Sequence, residues 1–343
     1  MTALAQPIRL PTRMSMTDGS GEPEVVLVIT APDDSTADAV EIELTKRSCS
    51  VVRFDTGDFP TRIRMAVRND STRWRGQLVI GSDAVDLDAV RAVYYRRPSR
   101  FVLPQGLSAG DAAFATTEAR LGFGGPFSSL PVLWVNHPAK VAIAEYKSAQ
   151  LTTAAAVGLS VPRTSITNDV EALRAFAAEI DGQVVCKTFS SLMLSNGETA
   201  ESVFTTIVDP VAVDARQFAV TAHLIQEWVP KAFDARVTMV GRQPFAAAIH
   251  AGSDTARVDW RADYRALRYE RIEPPLDVVD GARRYLTTFG LNYGAFDFVI
   301  EPSGAWRFLE CNPNGQWLWL EHEAGLPIAA ALADLLSSGV SPW

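Results

Sequence analysis

Apolar and polar positions alternate along the chain with two different periods. Val25 to Thr30 is an unbroken apolar run, the pattern of a strand buried on both faces. Asp33-Asp-Ser-Thr36 supplies helix-starting side chains, and Ala37 to Lys46 then repeats with helical spacing. Ser50 to Phe54 is a second strand, so the chain opens β-α-β and predicts a small parallel sheet. Arg62 to Arg68 and Trp74 to Ile80 alternate as an antiparallel pair would, and Val90 to Arg96 is a further strand. Asp111 to Leu121 predicts a helix, Leu133 to Asn136 a short strand, and Ala139 to Val157 one helix ended by Gly158 and Pro162. Asn168-Asp169 caps a helix over Val170 to Glu179, and Gln183 to Phe189 is a strand. Leu224 to Val229 is a strand, Asp234 to Val240 and Pro244 to His250 a hairpin, and Val278 to Phe289 a helix closed by Gly290. Tyr293 to Ile300 and Arg307 to Cys311 are strands joined by the turn Glu301-Pro-Ser-Gly304, and Pro327 to Leu336 is a terminal helix.

Composition narrows the picture. The 343 residues suffice for two or three domains with a large core. A net charge of −8 argues against a nucleic-acid backbone as the main partner. Three scattered cysteines make neither a disulfide framework nor a zinc site. No apolar run reaches membrane-spanning length and the first residues lack a signal-peptide core, so the cytoplasm is the expected compartment. Residues 1–23, rich in Pro, Ser, Thr and Gly, read as a loose tail.

Candidate chemistry gathers in the second half. Glu310 and Asn312 lie two apart on a strand and share a face, offering a carboxylate and an amide oxygen, both hard ligands suited to Mg²⁺. Asp297, on the neighbouring strand, brings a second acid; the alternative is a polar strand end before an Asn-Gly turn. Lys187 sits within an apolar strand, where a lysine either meets an anion or partner or runs to solvent at the strand end. The small-residue loop after it, 190–198, could cover phosphates, although it is not a Walker loop. Gln226-Glu227-Trp228-Val229 ends a strand whose exposed backbone can pair with an adenine edge. Asp234 and Arg236 share a strand face, either as ligand-facing groups or within a cross-strand ion pair. Tyr94-Tyr-Arg-Arg-Pro98 reads equally as a contact for an acidic or extended peptide and as a salt-bridge cluster at a domain edge.

The order of these features resembles the ATP-grasp superfamily over roughly residues 130 to 336: a lysine on a helix, a lysine on a strand, a small loop, Gln-Glu-x-Val, Asp-x-Arg-Val, an Arg-rich loop, a strand Asp, then Glu-x-Asn. Arg53-Phe-Asp-Thr-Gly-Asp-Phe-Pro60, Tyr94-Tyr-Arg-Arg-Pro98, Trp134-Val-Asn136, Val161-Pro-Arg-Thr164 and Asn312-Pro-Asn-Gly-Gln-Trp317 are similar to the ATP-grasp ribosomal peptide maturases, the graspetide synthetases that include the microviridin-type ligases. The resemblance implies an α/β (α+β) ATP-grasp fold. It would have a pre-ATP-grasp parallel-sheet domain over 24–130, a central domain over 131–223 and a C-terminal ATP-grasp domain over 224–343.

By the same resemblance, Lys147 and Lys187 hold nucleotide phosphates, Glu227 to Val229 hold adenine, and Asp234 faces the ribose. Asp297, Glu310 and Asn312 bind Mg²⁺, two ions in all, and Arg236 and Arg261 contact phosphate and an acyl-phosphate intermediate. Around Arg261 this chain reads Trp260-Arg-Ala-Asp-Tyr264, where related ligases carry Arg-Ser-Asn-like segments. The implied reaction activates Asp or Glu side chains of a ribosomal precursor peptide with ATP and joins them to Ser/Thr hydroxyls or Lys amines. The implied partners are that peptide with its leader and a second copy of the chain, with neither nucleic acid nor membrane. The competing readings are a glutathione-synthetase-like or RimK-like ligase adding an amino acid to a carboxylate, and a peptide- or nucleotide-binding module without catalysis.

Overall fold

The computed structural model describes residues 25–189, 193–195 and 200–343. The tail expected over residues 1–23 and most of the covering loop expected over 190–198 lie outside them.

The chain begins with β1 (Val25–Ile29), α1 (Ser35–Lys46), β2 (Ser50–Phe54), β3 (Ile63–Asn69), β4 (Trp74–Ile80), β5 (Asp83–Asp86), β6 (Val90–Tyr95), α2 (Ala109–Ser128) and β7 (Leu133–Val135). A parallel sheet of order β2-β1-β6-β7 is accompanied by an antiparallel sheet β3-β4-β5. The apolar run of β1 divides between two cores. Val26 and Val28 pack with Val40 and Leu44 of α1, while Leu27 and Ile29 pack with Phe123 and Phe127 of α2. Burial on both faces is why the run shows no alternation.

Next come α3 (Pro138–Ala144) and α4 (Lys147–Ala156), then β8 (Thr164–Thr167), α5 (Val170–Glu179), β9 (Val184–Lys187), β10 (Met193–Ser195), β11 (Ala200–Ser202), β12 (Thr206–Val208), α6 (Ala215–Phe218) and β13 (His223–Glu227). The single helix expected over Ala139 to Val157 is thus two. Gln150 explains the break: its amide nitrogen donates to the Ala144 carbonyl at 2.7 Å, taking up a group that the end of α3 leaves free. Strands order as β12-β9-β13-β8 over a small core of their own, with Leu173, Val184, Phe218 and Ile225.

The last part holds β14 (Phe233–Val240), β15 (Gln243–Ala251), α7 (Asp254–Val258), β16 (Leu267–Ile272), α8 (Leu276–Phe289), β17 (Tyr293–Ile300), β18 (Trp306–Asn312), α9 (Leu318–Ala324) and α10 (Ile328–Ser338). Its antiparallel sheet runs β16-β15-β14-β17-β18. Both expected hairpins are present, β14 with β15 and β17 with β18. Successive β17 side chains point to opposite faces. Phe296, Phe298 and Ile300 pack with Tyr285 and Leu286 of α8, while Tyr293 and Ala295 join the core that contains Val26, Val28 and Leu332 of α10. The first and last parts of the chain therefore share one hydrophobic core.

Candidate functional site

One cleft of about 780 Å³ lies between the β9–β13 sheet and the β14–β18 sheet. Its wall contains Lys147, Lys187, Gln226, Glu227, Trp228, Val229, Asp234, Arg236, Arg261, Asp297, Glu310 and Asn312. The structure thus brings together every residue that the sequence analysis assigned to nucleotide, metal or phosphate.

The floor comes from the large sheet. Arg236 on β14 and Asp297 on β17 are cross-strand partners, and the guanidinium grips the carboxylate with two bonds of 2.6 and 3.1 Å. Both are almost fully buried. The ion-pair alternative for Arg236 is therefore what the free protein holds. Glu310 lies opposite Asp297, but only because β18 carries a bulge: Asp297 pairs with Glu310 while Phe298 pairs with Phe308, leaving Leu309 as the extra residue. Simple alternation from the buried Phe308 would turn Glu310 into the core. The bulge places it in the cleft and returns Cys311 to the core. Glu310 forms ion pairs with Lys147, the first residue of α4, and with Arg261 at 3.3 Å. Burial works against its ionisation, yet the charges of Lys147 and Arg261 prevail and hold its carboxyl well below the usual range. Asn312 also lines the cleft, and its side-chain oxygen accepts from the Asn314 N–H at 2.9 Å.

The roof comes from the smaller sheet. Lys187 donates to the side-chain oxygen of Gln226 at 2.7 Å, and the Gln226 amide donates to the Thr164 hydroxyl at 2.9 Å. Among the described residues, Lys187 has a polar partner but no carboxylate. Burial lowers its ammonium from the ordinary lysine value to about 8, only partly offset by Glu310. At the strand end, the Glu227 N–H donates to the Arg163 carbonyl at 3.0 Å and the Trp228 N–H to the Gln183 carbonyl at 2.8 Å. The expected free backbone edge is therefore narrower than the sequence suggests. Of these N–H groups, that of Val229 alone lacks a partner among the described residues. Asp234 is held from two sides of its carboxylate by Lys231, at 2.6 and 2.9 Å; burial nevertheless pushes its carboxyl up to about 6.

Further residues join the site without having been singled out. Asp259 accepts from the Arg261 N–H and Nε at 3.1 and 3.2 Å, and from the Thr205 N–H at 3.2 Å, tying the Arg261 loop to the smaller sheet. The Trp260 ring lies between two guanidinium groups, with Arg236 at 5.5 Å and Arg261 at 5.4 Å from its centre. Gln150 straps α4 to β18: it donates to the Cys311 carbonyl at 2.8 Å and accepts from the Cys311 N–H at 3.0 Å. Gln316 joins the two ends of the chain. Its backbone oxygen accepts from Arg236 at 3.3 Å, while its side-chain oxygen accepts from Arg96 at 3.2 Å and from the Thr36 hydroxyl at 2.7 Å. Arg96 is itself buried against Asp34 at 2.8 Å, which settles its half of the Tyr94–Pro98 question as an ion pair. Asp259 had a detectable signal, an acid two residues before Arg261. Gln150 and Gln316 had none, since a glutamine fits an exposed helix or turn equally well.

Among the described residues, no group of three His, Cys, Asp or Glu is placed to hold a metal. A site here rests on two carboxylates plus the Asn312 amide, a set of hard oxygens that suits Mg²⁺. Both carboxylates are now neutralised by Lys147, Arg236 and Arg261. A magnesium–triphosphate complex supplies both signs of charge, so each side chain would exchange one partner for another, and the donor set fits.

Comparisons with known proteins bear on the fold that carries this cleft. Residues 25–142 match the model of the MvdD pre-ATP-grasp domain. The macrocyclase MdnC of Microcystis aeruginosa MRC, solved with its precursor peptide MdnA, is 29% identical with a TM-score of 0.79, covering 92% of this chain and 99% of that one. MdnB, a macrocyclase of the same organism, is also 29% identical, with a TM-score of 0.76 over 92% and 99% of the two chains. A RiPP-associated ATP-grasp ligase of Chryseobacterium gregarium, solved with ADP and a leader and core peptide, shares the fold at TM-score 0.84 and 24% identity, covering 92% and 97%. No curated protein matches the sequence. The chain is an enzyme of ligase type, similar to the RiPP-associated ATP-grasp maturases, with a domain over residues 25–142 that matches the MvdD pre-ATP-grasp model.

Proposed function

We propose that this enzyme is a peptide macrocyclase. It activates Asp or Glu side chains of a ribosomal precursor peptide and closes them onto Ser/Thr hydroxyls or Lys amines of the same peptide. The observation that carries this reading is the single cleft in which two lysines, two arginines and two strand acids face one another. In the first step a peptide carboxylate oxygen attacks the γ-phosphorus of ATP, and ADP leaves. In the second a hydroxyl or amine attacks the acyl carbon, inorganic phosphate departs and the attacking group loses its proton. Lys147 and Lys187 hold the triphosphate, Val229 and its neighbours Gln226 to Trp228 receive the adenine, and Asp234 lies toward the ribose. Asp297, Glu310 and Asn312 hold Mg²⁺, two ions in all, which when bound neutralise charge on the transferred phosphoryl group. Arg236 and Arg261, fixed about the Trp260 ring, stay with the phosphoryl group and the acyl phosphate as negative charge moves from one to the other.

A division of the chain into 24–130, 131–223 and 224–343 belongs to the same proposal, with the nucleotide between the last two. So does a homodimer, which light scattering tests. ATP and newly made peptides meet in the cytoplasm, where this reaction would run. No described helix is long and apolar enough to cross a membrane. The decisive experiment incubates enzyme, ATP, Mg²⁺ and precursor peptide, and reads ADP release with peptide mass. The expected result is a loss of one water per link, abolished in Glu310→Ala. A mass gain instead means that amino acids are being added. Peptide-independent behaviour in both enzymes means a binding module.

A further inference from the structure

Nearly every cation on the cleft wall has a carboxylate partner. Arg96 pairs with Asp34, Lys147 with Glu310, Lys231 with Asp234, Arg236 with Asp297, and Arg261 with Asp259 and Glu310. Two cations stand apart. Among the described residues, Lys187 faces Gln226, and Arg97 reaches only a backbone carbonyl, that of Asn314 at 3.4 Å. Lys187 lies on the smaller sheet, where the triphosphate reading already employs it. Arg97 lies on the opposite rim, beside the Asn312–Asn314 turn, and comes from the pre-ATP-grasp domain.

Its surroundings are arranged for an anion. The Arg97 N–H bonds to the Thr30 hydroxyl at 3.4 Å, holding the backbone while the side chain stays exposed in the cleft. Arg96 next to it is paired with Asp34, whereas Arg97 has no carboxylate partner among the described residues. A guanidinium with most of its donors unpartnered among the described residues matches a carboxylate with two parallel bonds.

We propose that Arg97 is a recognition site for an acidic side chain of the peptide substrate, holding an Asp or Glu carboxylate at the rim beside the residues assigned to the metal. This rests on the macrocyclase reading and deepens it: the peptide's acids are selected by a group of the first domain, not only by the phosphate machinery. The bond made is a charge-assisted hydrogen bond, with no covalent change at Arg97.

The test uses the full-length enzyme and the precursor peptide, with a second peptide in which each core Asp and Glu is Asn or Gln. Peptide affinity is measured with a non-hydrolysable ATP analogue present, and ATP affinity separately. The wild type is expected to prefer the acidic peptide by about tenfold or more. Arg97→Ala should lose that preference, and Arg97→Lys should recover part of it. Affinity for ATP should remain within about twofold throughout. Thermal melting of each variant shows that it is folded. An undiminished preference in Arg97→Ala overturns the proposal, as does a loss of ATP affinity that matches the loss of peptide affinity, which would make Arg97 a phosphate ligand. Failure of the wild type to release ADP and shorten the peptide by water would instead sink the macrocyclase reading, whatever Arg97 does.

Discussion

Lys187 carries the clearest functional signature of any single residue. A lysine in an apolar strand is costly to bury charged, and it was legible in the sequence for that reason. Its ammonium titrates near 8 in the free protein, because burial outweighs the pull of Glu310. The charge assigned to phosphate in the proposed function is therefore present below about pH 8 and lost as pH rises through it. We expect kcat/KM for ATP, which reports the free enzyme, to fall across that range, and Lys187→Arg to remove the inflection. A flat profile in the wild type would mean that Lys187 does not face the nucleotide. Asp297 and Glu310 were legible on the same grounds, acids set in strands. Trp260 was not, because what matters is its contact with Arg261 and Arg236, and a loop sequence does not record which guanidinium lies over which ring.

At the scale of elements, strands were easier to read than helix breaks and register. Apolar alternation marks both halves of the β17–β18 hairpin, yet a one-residue bulge decides which side chains share the cleft, and Leu309 has no sequence feature that announces it. The gap between α3 and α4 was equally hidden, since Ala139 to Val157 is helical in composition throughout. Gln150 binds this break to β18, and Lys147, one turn earlier on α4, depends on that strap to reach Glu310. Replacing Gln150 by Leu strands the buried Cys311 N–H at a cost of about 1–3 kcal/mol. The expected outcome is a Tm lower by several degrees together with a weaker affinity for ATP. Calorimetry and nucleotide titration check the two halves, and a change in Tm alone would detach Lys147 from the phosphate role.

Across the whole molecule, the first and last parts are fused through one core and several polar contacts, among them the link from Asp34 to Arg236, while the β8–β13 sheet has a separate core. Asp34 and Arg96 form the buried part of that link, and Gln316 carries it to Arg236. Removing one member leaves the other charged and unpaired. Asp34→Asn should cost about 3–5 kcal/mol, read by denaturant unfolding. The sign of the pH effect follows from the depressed carboxyl of Asp34, where Arg96 outweighs burial. Its contribution is present above the ordinary aspartate range and is lost as pH falls through the lower folded value, so the variant should be less sensitive to acid than the wild type. Long-range links of this kind leave no local pattern: Thr36 and Gln316 are 280 residues apart.

The position of α10 has a practical consequence. It is the last helix of the chain, yet Leu332 and Leu336 sit in the core of the opening sheet, and Asp334 meets Arg47 of the first helix–strand connection at 2.7 Å. A chimera that grafts residues 25–142 of a sister enzyme onto this catalytic half inherits a mismatched seam unless residues 328–338 travel with the graft. The unit of exchange is thus discontinuous, and moving the first domain between such chains takes two separate segments and their four junctions.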